Sequence, residues 1–123
     1  MKVIALDYGS ARTGVAVSDP TGTIARPLGV VEKVLTEPGL GKLRELIAEQ
    51  QPELVVVGLP LTLRGELGAQ AQETERFVAT LRAALDTPVE LFDERFTSVL
   101  ADGDDARAAA HLLSSYLEWS RGR

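Results

Sequence analysis

The feature that most constrains this chain is its first nineteen residues, which join an apolar strand, an acid and a tight turn. Residues 2–6 are apolar and partly β-branched, which predicts a β-strand. Asp7 follows directly, and a turn of small residues at 8–11 leads into a second apolar run at 14–17. Because side chains alternate along a strand, Asp7 shares a face with Ala5. These residues predict a β-hairpin with a carboxylate at the tip of its first strand, where it is placed to hold a metal ion.

Length and composition bound the class of protein. The chain has 123 residues, enough for one domain with one hydrophobic core. No apolar run is long enough to span a bilayer, and the amino terminus lacks the layout of a signal peptide. With no cysteine, the chain has neither disulfides nor a thiolate metal site. These absences together favour a cytoplasmic protein.

The net charge of −5 bears on the choice of partner. Proteins that bind nucleic acid usually contact phosphates through a basic surface, so the acidic balance by itself argues against such a partner. Carboxylates that hold divalent cations contribute to that negative charge, however, and the bound metal reverses the local sign. The charge therefore does not exclude nucleic acid.

The remaining apolar patterns alternate between strand and helix. They predict a third strand at 23–31, a helix at 38–51, a strand at 54–57, a helix at 69–85, a strand at 89–92 and a helix at 104–118. Pro27 interrupts the third strand, which suits an edge position. Three strands followed by α/β alternation predict an α/β fold, with a mixed five-stranded sheet flanked by helices in one domain over 1–123.

Two further groups of acids occur late in the chain. Asp93 and Glu94 follow the fifth predicted strand, and Asp102, Asp104 and Asp105 lie at the start of the last helix. Acids at a helix start have a structural explanation in capping and the helix dipole, which suits Asp104 well. Asp105 differs, because it lies four residues before the apolar Ala109 and so belongs to the inward face of the helix. A lone buried charge is costly, so Asp105 should be paired or bound to metal.

The acids converge if the sheet forms as predicted. Ligands of such sheets bind where the parallel strands end, so Asp7, Glu94 and Asp105 can meet at one edge. Asp is also common in turns for structural reasons alone, so Asp7 becomes a candidate ligand only with these partners. Oxygen-rich sites suit Mg²⁺ or Mn²⁺, and two such ions can clamp an in-line phosphoryl displacement. The one histidine, His111, falls outside the apolar stripe of its helix and is expected to be exposed.

Four segments resemble a known family. ALDYGSARTGVAVSD, VVVGLPLTLRGELGAQA, LFDERFTS and DARAAAHLLSSYLE are similar, in this order and over nearly the whole chain, to the YqgF (RuvX) family of RNase H-like nucleases. Members are described as Holliday junction resolvases and as pre-16S rRNA processing nucleases. The resemblance implies an RNase H-like fold and metal-dependent phosphodiester hydrolysis.

The resemblance also implies site residues. The acids of the family fall on Asp7, Glu94 and Asp105, with Asp7 bridging two metal ions. Asp93 is the alternative to Glu94, or an outer partner of the site. The segment before the last helix is shorter here than is usual in the family, and this leaves Asp102 as the rival of Asp105.

Several side chains near the acids are candidates for contact with the substrate. Arg12, Arg64 and Arg95 lie in or beside the site-forming loops and are candidates for phosphate contact, as is Thr97.

A resolvase cuts two symmetric strands, which calls for a homodimer, whereas a monomer suits RNA trimming. A non-catalytic nucleic-acid-binding module of the same fold is the alternative. An actin- or hexokinase-type phosphotransferase is disfavoured, because 123 residues leave no room for its second domain.

Overall fold

The sheet and helices follow the predicted order. A computed structural model of the chain describes residues 1–60, 68–93 and 105–122. The elements are β1 (Val3–Asp7), β2 (Arg12–Ser18), β3 (Ala25–Glu32), α1 (Glu37–Gln50), β4 (Leu54–Leu59), α2 (Ala69–Ala84), β5 (Val89–Asp93) and α3 (Asp105–Arg121). The largest difference from prediction is at α3, which continues to Arg121 because Trp119 still packs, at 5.5 Å between ring centroids, on Phe92.

The five strands form one mixed sheet in the order β3-β2-β1-β4-β5. β1 pairs antiparallel with β2, and β2 pairs antiparallel with β3. β1 pairs parallel with β4, and β4 pairs parallel with β5. The predicted meander and mixed sheet are therefore confirmed. Pro27 lies on the edge strand β3, next to a shift in the register of its pairing with β2, and edges and bulges are the places where strands admit proline.

Two hydrophobic layers cover the two faces of the sheet. α1 and α2 pack on one face, around Leu43, Ile47, Phe77 and Leu81, all of which are buried. α3 packs on the other face, through the buried stripe Ala109, Leu112, Leu113, Tyr116 and Leu117 that its sequence predicts. The strands alternate between the two layers, so β1 sends Ile4 and Leu6 to the first and Val3 and Ala5 to the second. This alternation decides which face carries each acid.

Local signals in the sequence set the ends of α1. The N-cap residue Thr36 accepts a hydrogen bond through its side chain from the N–H of Gly39, and Pro38 lies in the first turn. Gln51 ends the helix in the left-handed conformation, at φ 49°. Across the described ranges, no helix has the length and apolar content needed to cross a membrane.

Candidate active site

The carboxyl ends of three parallel strands meet at one edge of the sheet. Leu6 of β1 is level with Val57 of β4, which is level with Leu91 of β5. Asp7 is the last residue of the central strand β1 and is half-buried. It lies opposite Gly14 of β2, on the face that α3 covers.

α3 brings a second carboxylate to the same place. The helix begins at Asp105, whose backbone carbonyl lies directly over Gly14. Burial raises the pKa of Asp7 to about 6, and the negative charge of Asp105 adds to this rise. Both effects penalise the ionised form of Asp7, and a bound cation would relieve both. The prediction that Asp105 faces the sheet beside Asp7 is supported by this interaction.

Arg12 completes the described part of the cluster. It is the first residue of β2, and its Nε lies 3.2 Å from Oδ2 of Asp105. The Arg12 side chain is 59% exposed, whereas that of Asp105 is 29% exposed. The guanidinium therefore partly neutralises Asp105 while most of its own surface stays open to an incoming anion.

The turn after Asp7 is held by contacts within the hairpin and by α2. The amide of Gly9 donates to Oγ1 of Thr13 at 3.4 Å, which closes the turn. Tyr8 is buried, stacks on Phe77 of α2 at 4.7 Å between ring centroids, and donates its hydroxyl hydrogen bond to Oε1 of Glu73. Burial and this hydrogen bond raise the pKa of Tyr8. The tyrosine thus ties the residue next to Asp7 to the helix on the opposite face.

The structure gathers three of the seven predicted site residues. Asp7, Asp105 and Arg12 lie together at one edge. The other four, Glu94, Arg64, Arg95 and Thr97, lie outside the described residues, as do Asp102 and Asp104. Among the residues that are described, no group of three or more acids, histidines or cysteines is arranged to hold a metal ion. The exposed position predicted for His111 is confirmed.

Asp93 lies on the other face of the sheet from Asp7. In β5, Leu91 packs against the layer under α1 and α2, and Phe92 packs against the layer under α3. Alternation therefore assigns Asp93 to the Leu91 face. Asp93 is thereby disfavoured as a direct partner of Asp7.

Two features of the site were not among the predicted site residues. Gly14, which lets α3 approach the sheet, belongs to the second apolar run of the sequence, and an isolated glycine inside a strand is the signal of close backbone approach. The pairing of Tyr8 with Glu73 joins residues 65 positions apart, and no local pattern in the sequence indicates it.

Comparison with solved structures identifies the fold. The chain is similar to the solved structure of Thermus thermophilus RuvC in complex with a Holliday junction substrate, with a TM-score of 0.60 and 20% identity. The match covers 99% of this chain and 97% of that one. The fold is therefore that of the RNase H-like resolvases, as the sequence motifs predict.

The family follows from the sequence. Residues 1–119 match the profile of the RuvX family, described as Holliday junction resolvase. A relative in Chloroflexus aurantiacus, named as a pre-16S rRNA nuclease, is 48% identical over 100 residues, which cover 81% of this chain and 65% of that protein. A relative of the same name in Syntrophomonas wolfei is 37% identical over 133 aligned positions, covering 96% of this chain and 94% of the relative. The chain belongs to the RuvX family.

Proposed function

We propose that this protein is a divalent-metal-dependent nuclease that hydrolyses phosphodiester bonds in structured nucleic acid. The observation that carries the proposal is the convergence of Asp7 and Asp105 where the central strand ends. Burial, together with the charge of Asp105, raises the pKa of Asp7 to about 6. An acid with this environment at the end of a central strand is typical of a functional site. Family membership supports the same chemistry.

The described donor atoms suit a hard cation. Asp7 and Asp105 offer carboxylate oxygens, which Mg²⁺ and Mn²⁺ prefer, and the chain contains no cysteine to favour a softer metal. We assign Asp7, Asp105 and Glu94 as the ligands. A divalent cation held there would supply an activated water as the nucleophile and charge to stabilise the leaving oxygen. Asp7 and Asp105 would hold the cation in place, with Arg12 beside them.

The assignment of Glu94 rests on the faces of β5. Phe92 packs toward α3, on the same face as Asp7, and Asp93 belongs to the opposite face. Side chains two positions apart in a strand lie on the same face, so a strand continued by one residue would place Glu94 on the face of Phe92. Glu94 is therefore a better candidate for the third ligand than Asp93.

Cationic and hydroxyl side chains near this edge are proposed to contact the substrate phosphates. Arg12 is described beside Asp105, and Arg64, Arg95 and Thr97 are assigned from the sequence alone. Arginine suits this role because its planar guanidinium forms paired hydrogen bonds with phosphate oxygens. Metal binding at the acids removes the local negative charge that would otherwise repel the substrate.

The substrates named for related proteins are branched DNA and precursor ribosomal RNA, and both are carried into the proposal. The family profile is described as a Holliday junction resolvase, and the relatives are named as pre-16S rRNA nucleases. Symmetric cleavage of a junction requires two copies of the site, so the DNA activity implies a homodimer. We place this activity in a single domain over 1–123 and in the cytoplasm, where bacteria hold both nucleic acids.

The experiment compares cleavage of labelled four-way DNA junctions with cleavage of precursor rRNA. Each substrate is incubated with Mg²⁺, with Mn²⁺ and with EDTA. Paired symmetric nicks in the junction would identify a resolvase, and trimming of the RNA alone would identify a processing ribonuclease. Absence of metal-dependent cleavage of either substrate by folded protein would refute the nuclease and favour the binding module, which a gel-shift assay with the same substrates would detect.

Matched variants identify the acids that act. Asp7→Asn and Glu94→Gln are each expected to lower the cleavage rate at least about 100-fold, because each removes a charge that holds the metal. Asp93→Asn, one residue away but on the opposite face, is expected to retain most of the activity. Equal losses in the Asp93 and Glu94 variants would contradict the assignment of the third ligand.

A further inference from the structure

The first turn of α3 lies in contact with the backbone of β2 at Gly14. A Cβ atom built on Gly14 would lie 1.8 Å from the carbonyl oxygen of Asp105, 2.3 Å from its carbonyl carbon and 3.1 Å from the nitrogen of Ala106. The obstacle is helix backbone, which cannot rotate away as a side chain can. The φ of Gly14 is not positive, so the conformation of the strand itself accepts an L residue. Only the helix requires glycine at this position.

Gly14 is also the direct partner of Asp7 in the β1–β2 ladder. Directly opposed residues of antiparallel strands lie about 4.5–5.5 Å apart. Gly14, which sets the distance of α3 from the sheet, is therefore beside the Asp7 carboxylate. One contact fixes the position of Asp105 relative to Asp7.

We propose that Gly14 is a positioning residue, whose missing side chain sets the distance between the two metal-binding carboxylates. The inference rests on the proposed function, because it takes Asp7 and Asp105 as metal ligands. Gly14 itself touches neither the metal nor the substrate. It acts through the backbone of Asp105.

The size of the effect follows from the distances. An alanine at position 14 requires its Cβ to move from 1.8 Å to about 3.3 Å from the Asp105 oxygen, a displacement of roughly 1.5 Å. β2 is hydrogen-bonded to β1 on one side and to β3 on the other, so the start of the helix moves more easily than the strand. Mg²⁺ and Mn²⁺ sites tolerate only a few tenths of an ångström in ligand distance. A shift of this size therefore separates the ligand pair.

The test measures binding of Mn²⁺ alone by titration calorimetry, together with thermal unfolding in EDTA. Gly14→Ala is expected to stay folded and to bind Mn²⁺ about 100-fold more weakly than the wild type. The matched control is Gly29→Ala on β3, where an added Cβ meets no atom within 4 Å. The control should bind Mn²⁺ as the wild type does and unfold at the same or a slightly higher temperature.

A rescue variant separates positioning from general damage. Asp105→Glu adds one methylene, which lengthens the reach of the carboxylate by about 1.5 Å. In the wild-type background it should weaken Mn²⁺ binding, because the longer side chain places its carboxylate at a different distance from that of Asp7. In the Gly14→Ala background it should restore binding at least about 10-fold, because the added reach offsets the displaced helix.

The outcomes distinguish the inference from the proposed function. If the wild-type protein binds no Mn²⁺, both are overturned. If the wild type binds Mn²⁺ and Gly14→Ala binds it equally well, only the positioning role is overturned. If Gly14→Ala does not fold, the positioning role is overturned, because glycine at position 14 is then needed for folding and not only for the distance between the two carboxylates.

Discussion

Replacing Asp7 with asparagine should stabilise the metal-free protein above pH 6, although it removes the proposed central ligand. Burial and the charge of Asp105 raise the pKa of Asp7 from 3.8 to about 6. The folded state therefore holds this proton more tightly than the unfolded chain does. The stabilisation that comes with the proton is fully present below pH 3.8 and is lost as the pH rises through 6. Asparagine keeps the shape of the side chain and never carries the charge.

The magnitude follows from the two pKa values. Each tenfold change in proton affinity is worth about 1.4 kcal/mol, so the difference amounts to about 3 kcal/mol at pH 7.5. Asp7 retains some contact with solvent, which screens its charge and reduces the expected gain to about 1–2 kcal/mol. For a chain of 123 residues this corresponds to a rise in Tm of roughly 4–8 °C. At pH 4 the gain should be close to zero.

The assay is thermal unfolding in EDTA at several values between pH 4 and pH 7.5. The wild type and Asp7→Asn are compared with Asp86→Asn, which alters an exposed acid in the turn between α2 and β5. Addition of Mg²⁺ at pH 7.5 should then raise the Tm of the wild type and of the Asp86 variant, because a ligand that binds only the folded state stabilises it. The Tm of Asp7→Asn should not respond.

Two results would refute this reasoning. If Asp7→Asn were no more stable than the wild type at pH 7.5 in EDTA, the carboxylate would not be under the strain that burial and Asp105 impose. If the gain were the same at pH 4 and at pH 7.5, it would come from packing or hydrogen bonding and not from the charge.

Three further changes test neighbouring contacts. Arg12→Gln removes the ion pair with Asp105; unfolding should change by less than about 1 kcal/mol, because the arginine is exposed, whereas nucleic-acid affinity measured by gel shift should fall. Tyr8→Phe removes the hydrogen bond to Glu73 and should cost about 1 kcal/mol in urea unfolding, and no loss would show that the bond does not stabilise the fold. Asp19→Ala should lower the Tm at pH 7, because three backbone amides donate to this carboxylate and hold its pKa well below its usual range. The difference in Tm from the wild type should shrink as the pH falls below the usual pKa of an aspartate, because the carboxylate then becomes protonated. A difference that stayed constant with pH would contradict the electrostatic cause.

The fold and two of the acids could be predicted from the sequence because each depends on a local period. Alternation in β1 places Asp7 on the face of Ala5, and a helical period counted back from Ala109 places Asp105 inward. Both inferences need only a few neighbouring residues. The structure agrees with both, and the shared face of the sheet follows from the strand order.

The contacts that join distant segments could not be predicted in this way. The approach of α3 to Gly14 links residues 14 and 105, and the hydrogen bond from Tyr8 to Glu73 joins the turn after β1 to α2. The sequence predicts that Arg12 contacts phosphate, whereas its ion pair with Asp105 depends on where the first turn of α3 docks. These contacts are set by tertiary packing, which no periodicity in a single segment records.

The packing of β5 bears on the proposed choice between Asp93 and Glu94 as the third ligand. Asp93 is the last residue of β5 and Glu94 comes directly after it, so composition and spacing treat the two carboxylates alike. Moving Asp93 to the face of Asp7 would require a one-residue shift, which would also exchange the faces of Leu91 and Phe92. Phe92 packs edge-on against Tyr116, at 5.5 Å between ring centroids, and Leu91 is held in the opposite layer. These apolar contacts fix the face that each residue of β5 occupies as far as Asp93, and they support the proposal that Glu94 is the third ligand.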